Sequence, residues 1–151
     1  VIIHPQSVIH SMVEYTDRSV VAQLGTPDMR VPIAYGLSWP ERTESGAAAL
    51  DFGTLGALTF EPPDRRRFPG LQLAWDALAG PTGTTAVLNA ANEEAVAAFL
   101  DRRLGFDQIH AVNHATLSAC RPSKPSSLDD LLAIDTMARA HARESIARIG
   151  R

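Results

Sequence analysis

His110 and His114 stand four residues apart, a spacing that on a helix brings two imidazoles to one face, where they can share a metal ion. Residues 111–113 are Ala, Val and Asn, so the glutamate of a metalloprotease helix is missing between them. A solvated helical face is the favoured reading. His4 and His10 lie in a strand-forming run, where a histidine is either a satisfied structural group or faces a cleft. An unbroken strand would put both on one face, but Pro5 interrupts it, and the structural reading is favoured. The loop Gly25-Thr26-Pro27-Asp28-Met29-Arg30 follows a strand, a place where sites tend to be built. Met29 offers an adaptable apolar surface able to pack on a flat ring; alternatively it fills a core, and Asp28 and Arg30 form a local ion pair.

Two further sets carry weaker chemistry. Asn89, Asn92 and Glu93 make a polar stripe at helical spacing, expected to fix the linker to a bundle through hydrogen bonds. Arg65-Arg66-Arg67, near a helix start, could attract phosphate, but three like charges more often mark a solvated turn. No Gly-rich phosphate loop, no GxSxG and no paired cysteine motif occurs. A self-sufficient active site is therefore not expected within these residues.

The elements that must position these groups fall into three stretches. Val1 to Leu24 is rich in β-branched residues, and a hairpin is expected of roughly 8–16 with 19–24, turning at Asp17-Arg18. Ile9, Ser11, Val13 and Tyr15 should share one face, and His10, Met12 and Glu14 the other. A two-residue turn prefers Gly where Arg18 stands, which points to a wider loop. Val1-Ile2-Ile3 already has a buried-strand pattern, so the chain is expected to begin inside a larger protein. Pro32 should open a short helix through Leu37, ended by Trp39-Pro40. Thr43 to Glu61 reads as a covering linker anchored by Phe52, Leu58 and Phe60.

Helical spacing then takes over. A helix over about 69–79 carries Leu71, Trp75 and Leu78. A second, about 84–103, carries Leu88, Ala91, Ala95, Ala98 and Phe99 and closes at Gly105. A third, about 107–119, is capped by Asp107 and carries Ile109, Val112 and Leu117. The fourth, about 128–149, is capped by Ser127 with Asp130 and carries Leu128, Leu131, Leu132, Ile134 and Ile146. The fold class expected is α+β: a strand hairpin from the end of a larger sheet, a linker, then a four-helix bundle-like domain.

Bulk properties narrow the function. Apolar residues make up 45% and charged residues 21%, the balance of a globular chain. A net charge of −3 argues against a nucleic-acid or anionic-membrane surface, and no apolar run approaches the 18 or so residues of a membrane span. Cys120 is the lone cysteine, which fits a reducing compartment, so a cytoplasmic location is expected.

HPQSVIHSMVEY, AQLGTPDMRVPIA, SWPER, LDFGTLGALTFEPPD, FPGLQLA and VLNAANEEAVAAFL, in this order, closely resemble the 1-deoxy-D-xylulose 5-phosphate reductoisomerase family through nearly the whole chain. The resemblance implies residues 1–38 as the end of a catalytic domain with dimer-forming strands, 39–64 as a linker and 65–151 as a C-terminal helical bundle. For the full-length enzyme it implies NADPH-dependent conversion of 1-deoxy-D-xylulose 5-phosphate to 2-C-methyl-D-erythritol 4-phosphate in non-mevalonate isoprenoid synthesis. A divalent Mg or Mn would hold the sugar-phosphate substrate. The family's metal carboxylates, phosphate-binding residues and mobile lid precede the HPQSVIH block, so this stretch alone is expected to be inactive, with no catalytic and no metal-binding residue of its own. Pro27 and Met29 match the family loop near the nicotinamide. His10 matches a histidine that supports the site. Arg18 stands where the family commonly has Gly, which bears on the turn and not on the function. A homodimer is implied, formed partly by the strands. The rival reading is a non-enzymatic helical self-association module.

Overall fold

The computed structural model describes residues 1–150. They form two compact units, one of Val1–Pro63 and one from Asp64 onward. The first holds an antiparallel hairpin, β1 (Ile9–Glu14) and β2 (Val20–Leu24), and a helix α1 (Arg30–Ser38). The second holds α2 (Gly70–Ala79), α3 (Thr84–Leu100), α4 (Gln108–Ala119) and α5 (Leu128–Ile149). The α+β class, the hairpin and the helices are those expected from the sequence.

The hairpin turns through a three-residue loop, Thr16-Asp17-Arg18. Tyr15 donates its amide to the Ser19 carbonyl at 2.9 Å and accepts that of Arg18 at 3.0 Å. Arg18 takes the left-handed conformation, φ 72°, that a loop of this length requires. Asp17 steadies the exit by accepting from both the amide and the hydroxyl of Ser19. The strict alternation expected along β1 breaks at His10, because Ile9 pairs with Leu24 and Ser11 with Gln23, leaving His10 in a bulge. Val1, Ile2 and Ile3 are exposed, contrary to their buried-strand pattern; Ile3 exchanges backbone hydrogen bonds with Glu61 alone. Val8 is the one buried residue of this unit. Phe52 and Phe60, expected as anchors, are exposed, and Phe60 stacks on His4 with centroids 4.8 Å apart.

Helix α1 opens two residues before Pro32, since Asp28 accepts the Arg30 amide and starts the turn there. It ends at Trp39, whose ψ of 135° is the extended conformation a residue before proline prefers.

In the second unit α3 is central, packed by α4 and α5. Its buried face is Val87, Ala90, Ala91, Ala95 and Ala98, meeting Val112 of α4 and Ile134, Ala138, Ala142 and Ile146 of α5. Small residues here bring the helix backbones close, and Ala91, Ala95, Ala98, Val112, Ile134 and Ile146 lie on the buried faces as expected. Leu88 is only half-buried, with Val87 in its place. On α2 the buried positions are Leu73 and Ala77, while Trp75 and Leu78 are exposed. On α5 Leu128, Leu131 and Leu132 are exposed although expected on the apolar side.

Helix ends follow local chemistry. The Ser127–Asp130 capping box forms in both directions. Asp107 occupies the cap position of α4 without making a side-chain cap bond. Helix α3 stops at Leu100, short of the expected 103, because Arg102 turns left-handed at φ 60°. The amides of Arg102 and Arg103 then return to the carbonyls of Phe99 and Ala98, a Schellman closure that needs no Gly105.

Charge ties α3 to α5. Arg143 grips Glu94 with two bonds, 2.7 and 2.9 Å, and Arg139 reaches Asp135, Glu93 and Glu94. The Arg143 guanidinium, foremost, holds the Glu94 carboxyl below its usual 4.5. A carboxyl lowered on folding contributes stability above its unfolded value, and that contribution is lost as pH falls through the folded value. Urea melts of wild type and Glu94→Gln are therefore expected to differ at pH 6 and to converge as pH falls past 4.5 and through the lowered folded value.

Candidate functional site

The loop from Gly25 to Met29 links the end of β2 to α1, and local bonds fix its course. The Gly25 amide donates to the Val8 carbonyl at 3.0 Å, and the Thr26 hydroxyl to the Ala48 carbonyl at 3.1 Å. Asp28 binds the Arg30 guanidinium through both carboxylate oxygens, 2.6 to 3.0 Å, and that hydrogen bonding holds its carboxyl below the usual range. The local ion pair expected as the alternative is thus present. Its companion expectation, a core-filling Met29, is not: Met29 is 71% exposed.

Met29 and Pro27 instead form a wall of a groove of about 670 Å³. His10 of the bulge, Tyr35 of α1 and Arg42 complete it. The bulge matters here because it takes His10 out of the β-ladder at the rim of the groove. Tyr35 meets Trp39 edge to face, centroids 5.6 Å apart, and the Arg42 guanidinium lies over the Tyr35 ring at 4.5 Å. The arrangement is an exposed apolar shelf with one imidazole and one guanidinium at its edges. Such a surface suits a flat ring carrying polar substituents.

His4 has a different place. Its Nδ1 donates to the Thr59 carbonyl at 2.8 Å, and its ring stacks on Phe60. Nε2 is buried and has no hydrogen-bond partner among the described residues. With β1 starting only at Ile9, the two histidines do not share a strand, though both line a second recess of about 520 Å³ with Met12 and Phe60.

The remaining candidates are structural. His110 and His114 are exposed on α4, and among the described residues no three His, Cys, Asp or Glu side chains converge as a metal site would require. Nothing in this donor set is assigned to a metal. Asn92 accepts from Asn113 at 3.1 Å, Asn89 donates to Glu93, and Glu93 pairs with Arg139. This stripe therefore holds α3 to α4 and α5, where a tie to the linker was expected. Asp64 accepts the amides of Arg66 and Arg67, making the arginine run a capped, exposed turn.

Sequence reasoning missed Tyr35 and Arg42. Neither lies in a motif with chemistry of its own. The available signal was the short helix, which carries Tyr35 back over the loop.

Residues 24–141 match the model of the DXP reductoisomerase C-terminal domain. The 1-deoxy-D-xylulose 5-phosphate reductoisomerase of Chlorobium phaeobacteroides is 59% identical over 95% of this chain and 37% of its own length. That of Ralstonia pickettii is 58% identical over 97% of this chain and 37% of its own. Among solved structures, the reductoisomerase of Zymomonas mobilis in complex with NADPH superposes with a TM-score of 0.87 at 51% identity, over 96% of this chain and 38% of that one. A DOX-P reductoisomerase in complex with NADPH, fosmidomycin and magnesium gives 0.88 at 41% identity, over 97% of this chain and 38% of that one. Hairpin, loop, short helix and alanine-seamed bundle, in this order, are the C-terminal architecture of a reductoisomerase. The chain belongs to the DXP reductoisomerase C-terminal domain family. It spans 37% of the length of the first of these curated relatives.

Proposed function

We propose that this chain is the C-terminal portion of an NADPH-dependent enzyme that rearranges and reduces 1-deoxy-D-xylulose 5-phosphate to 2-C-methyl-D-erythritol 4-phosphate, in isoprenoid synthesis by the non-mevalonate route. The observation that carries this reading is 59% identity sustained over 95% of the chain. NADPH supplies the hydride when bound. Pro27 and Met29 give the nicotinamide an apolar face to lie on, orienting the ring and keeping water from it. His10 supports the site from the bulge. The divalent metal, Mg or Mn, is held by residues upstream of this chain. Residues 1–38 close the catalytic domain, 39–64 link, and 65–151 form the C-terminal bundle.

The protein acts as a cytoplasmic homodimer joined in part through the hairpin. Met12, Val13, Val20 and Val21 are exposed on the two faces of the hairpin, whose unpaired strand edges are of the kind a second copy covers. No described helix is long and apolar enough to cross a membrane.

The test is NADPH oxidation with 1-deoxy-D-xylulose 5-phosphate and Mn²⁺, by this chain and by a longer protein that adds an upstream dinucleotide-binding region. Turnover by the longer protein and none by the chain is the expected result. No turnover by either, with dimers in light scattering, would leave self-association as the function. Turnover by the chain alone would show a complete site within these residues and overturn the domain plan.

A further inference from the structure

The first unit contains three cations besides its histidines: Arg18, Arg30 and Arg42. Arg18 pairs with Glu14 at 2.7 Å, and Arg30 with Asp28 at 2.6 Å. Arg42 forms no ion pair among the described residues, although Glu41 and Glu44 are its neighbours in sequence. It faces the groove. The one carboxylate lining that groove, Asp28, is neutralised by Arg30, so the groove's uncompensated charge is that of Arg42. The guanidinium is also held in place: it lies over the Tyr35 ring, which is in turn braced edge-on by Trp39. A guanidinium held over a ring keeps N–H groups free, and these match an oxyanion.

We propose that Arg42 is the anion-recognition residue of this groove, binding a phosphoryl oxygen of the ligand that occupies it. The assignment rests on the enzymatic reading above. A phosphoryl group reaches the groove from either of two sources, the dinucleotide or the sugar phosphate. In both cases the chemistry at Arg42 is the same, a charge-assisted pair beside an apolar wall that weakens competition from water. Arg42 acts here as a binding residue and takes no proton from the reaction.

The experiment compares wild type, Arg42→Met and Arg42→Lys in the longer protein. It measures the NADPH dissociation constant by cofactor fluorescence, the KM for the sugar phosphate, and the melting temperature. Loss of one charged hydrogen-bonding partner is expected to weaken one of the two ligands about tenfold to a hundredfold. NADPH weakened alone identifies the dinucleotide as the source, and a raised KM alone identifies the sugar phosphate. Arg42→Lys recovers part of the loss by restoring the charge without the fork. Both constants within twofold of wild type, at an unchanged melting temperature, overturn the proposal. A lowered melting temperature with both ligands weakened alike assigns Arg42 a folding role and also overturns it. If wild type itself binds neither ligand, the enzymatic reading fails. Inorganic pyrophosphate titrated into the 151-residue chain and its Arg42→Met variant then decides the assignment separately, with tighter binding to wild type supporting it and equal binding overturning it.

Discussion

Ala95→Leu is expected to destabilise the helical unit by about 2–3 kcal/mol, because overpacking a close seam forces side chains off their rotamers and helices apart. Ala95 is fully buried, as are Ala91 and Ala98 one turn to either side, and the facing residues of α4 and α5 include Val112 and Ala142. In a unit of this size the loss lowers the melting temperature by about 10–20 °C. Ala97→Leu supplies the comparison, since Ala97 is on the same helix but exposed. It should move stability by no more than about 0.5 kcal/mol. Thermal and urea melts of the two variants decide the matter, and equal shifts would mean that the seam is not close-packed.

Met29→Ala should produce the opposite profile, a large functional effect on an unchanged fold. The side chain is 71% exposed, so its removal leaves no cavity and should alter stability by less than about 0.5 kcal/mol. If the nicotinamide rests on it, the apolar area lost on truncation is worth about 1.5–3 kcal/mol of binding, a rise of about tenfold to a hundredfold in the KM for NADPH. Met29→Leu, similar in volume, should stay close to wild type. Steady-state kinetics of the longer protein would show it. A KM unmoved by Met29→Ala would remove Met29 from the cofactor's surroundings.

Much of this architecture was legible in the sequence because punctuation encodes it. Pro69, the Pro81–Gly83 break and Ser127 with Asp130 mark helix starts to within a residue or so. The faces were harder to read. Leu71, Trp75, Leu78 and Leu128 were expected inside because large apolar groups gain most from burial. The buried face is made largely by alanines, residues whose value is closeness and not bulk: Ala91, Ala95 and Ala98, which were expected, and Ala90, Ala138 and Ala142, which were not. Buried Thr116 and Ser145 fit the same seam, Thr116 by donating to its own helix at the Val112 carbonyl. At the groove, Pro27, Met29 and His10 come together in one lining. The bulge that places His10 leaves no trace in the β-branched pattern, since one extra residue in a strand changes no composition.

The solitary burial of Val8 also has a kinetic meaning. An amide in a segment with almost no interior is released to solvent by local fraying, without any global event. Amides along α3, enclosed on several sides, are released only when the whole bundle opens. Deuterium should therefore enter this polypeptide at two widely separated tempos. The hairpin would label first, and whatever slows its labelling, a second copy or the rest of a larger enzyme, would be identified as the surface that completes it.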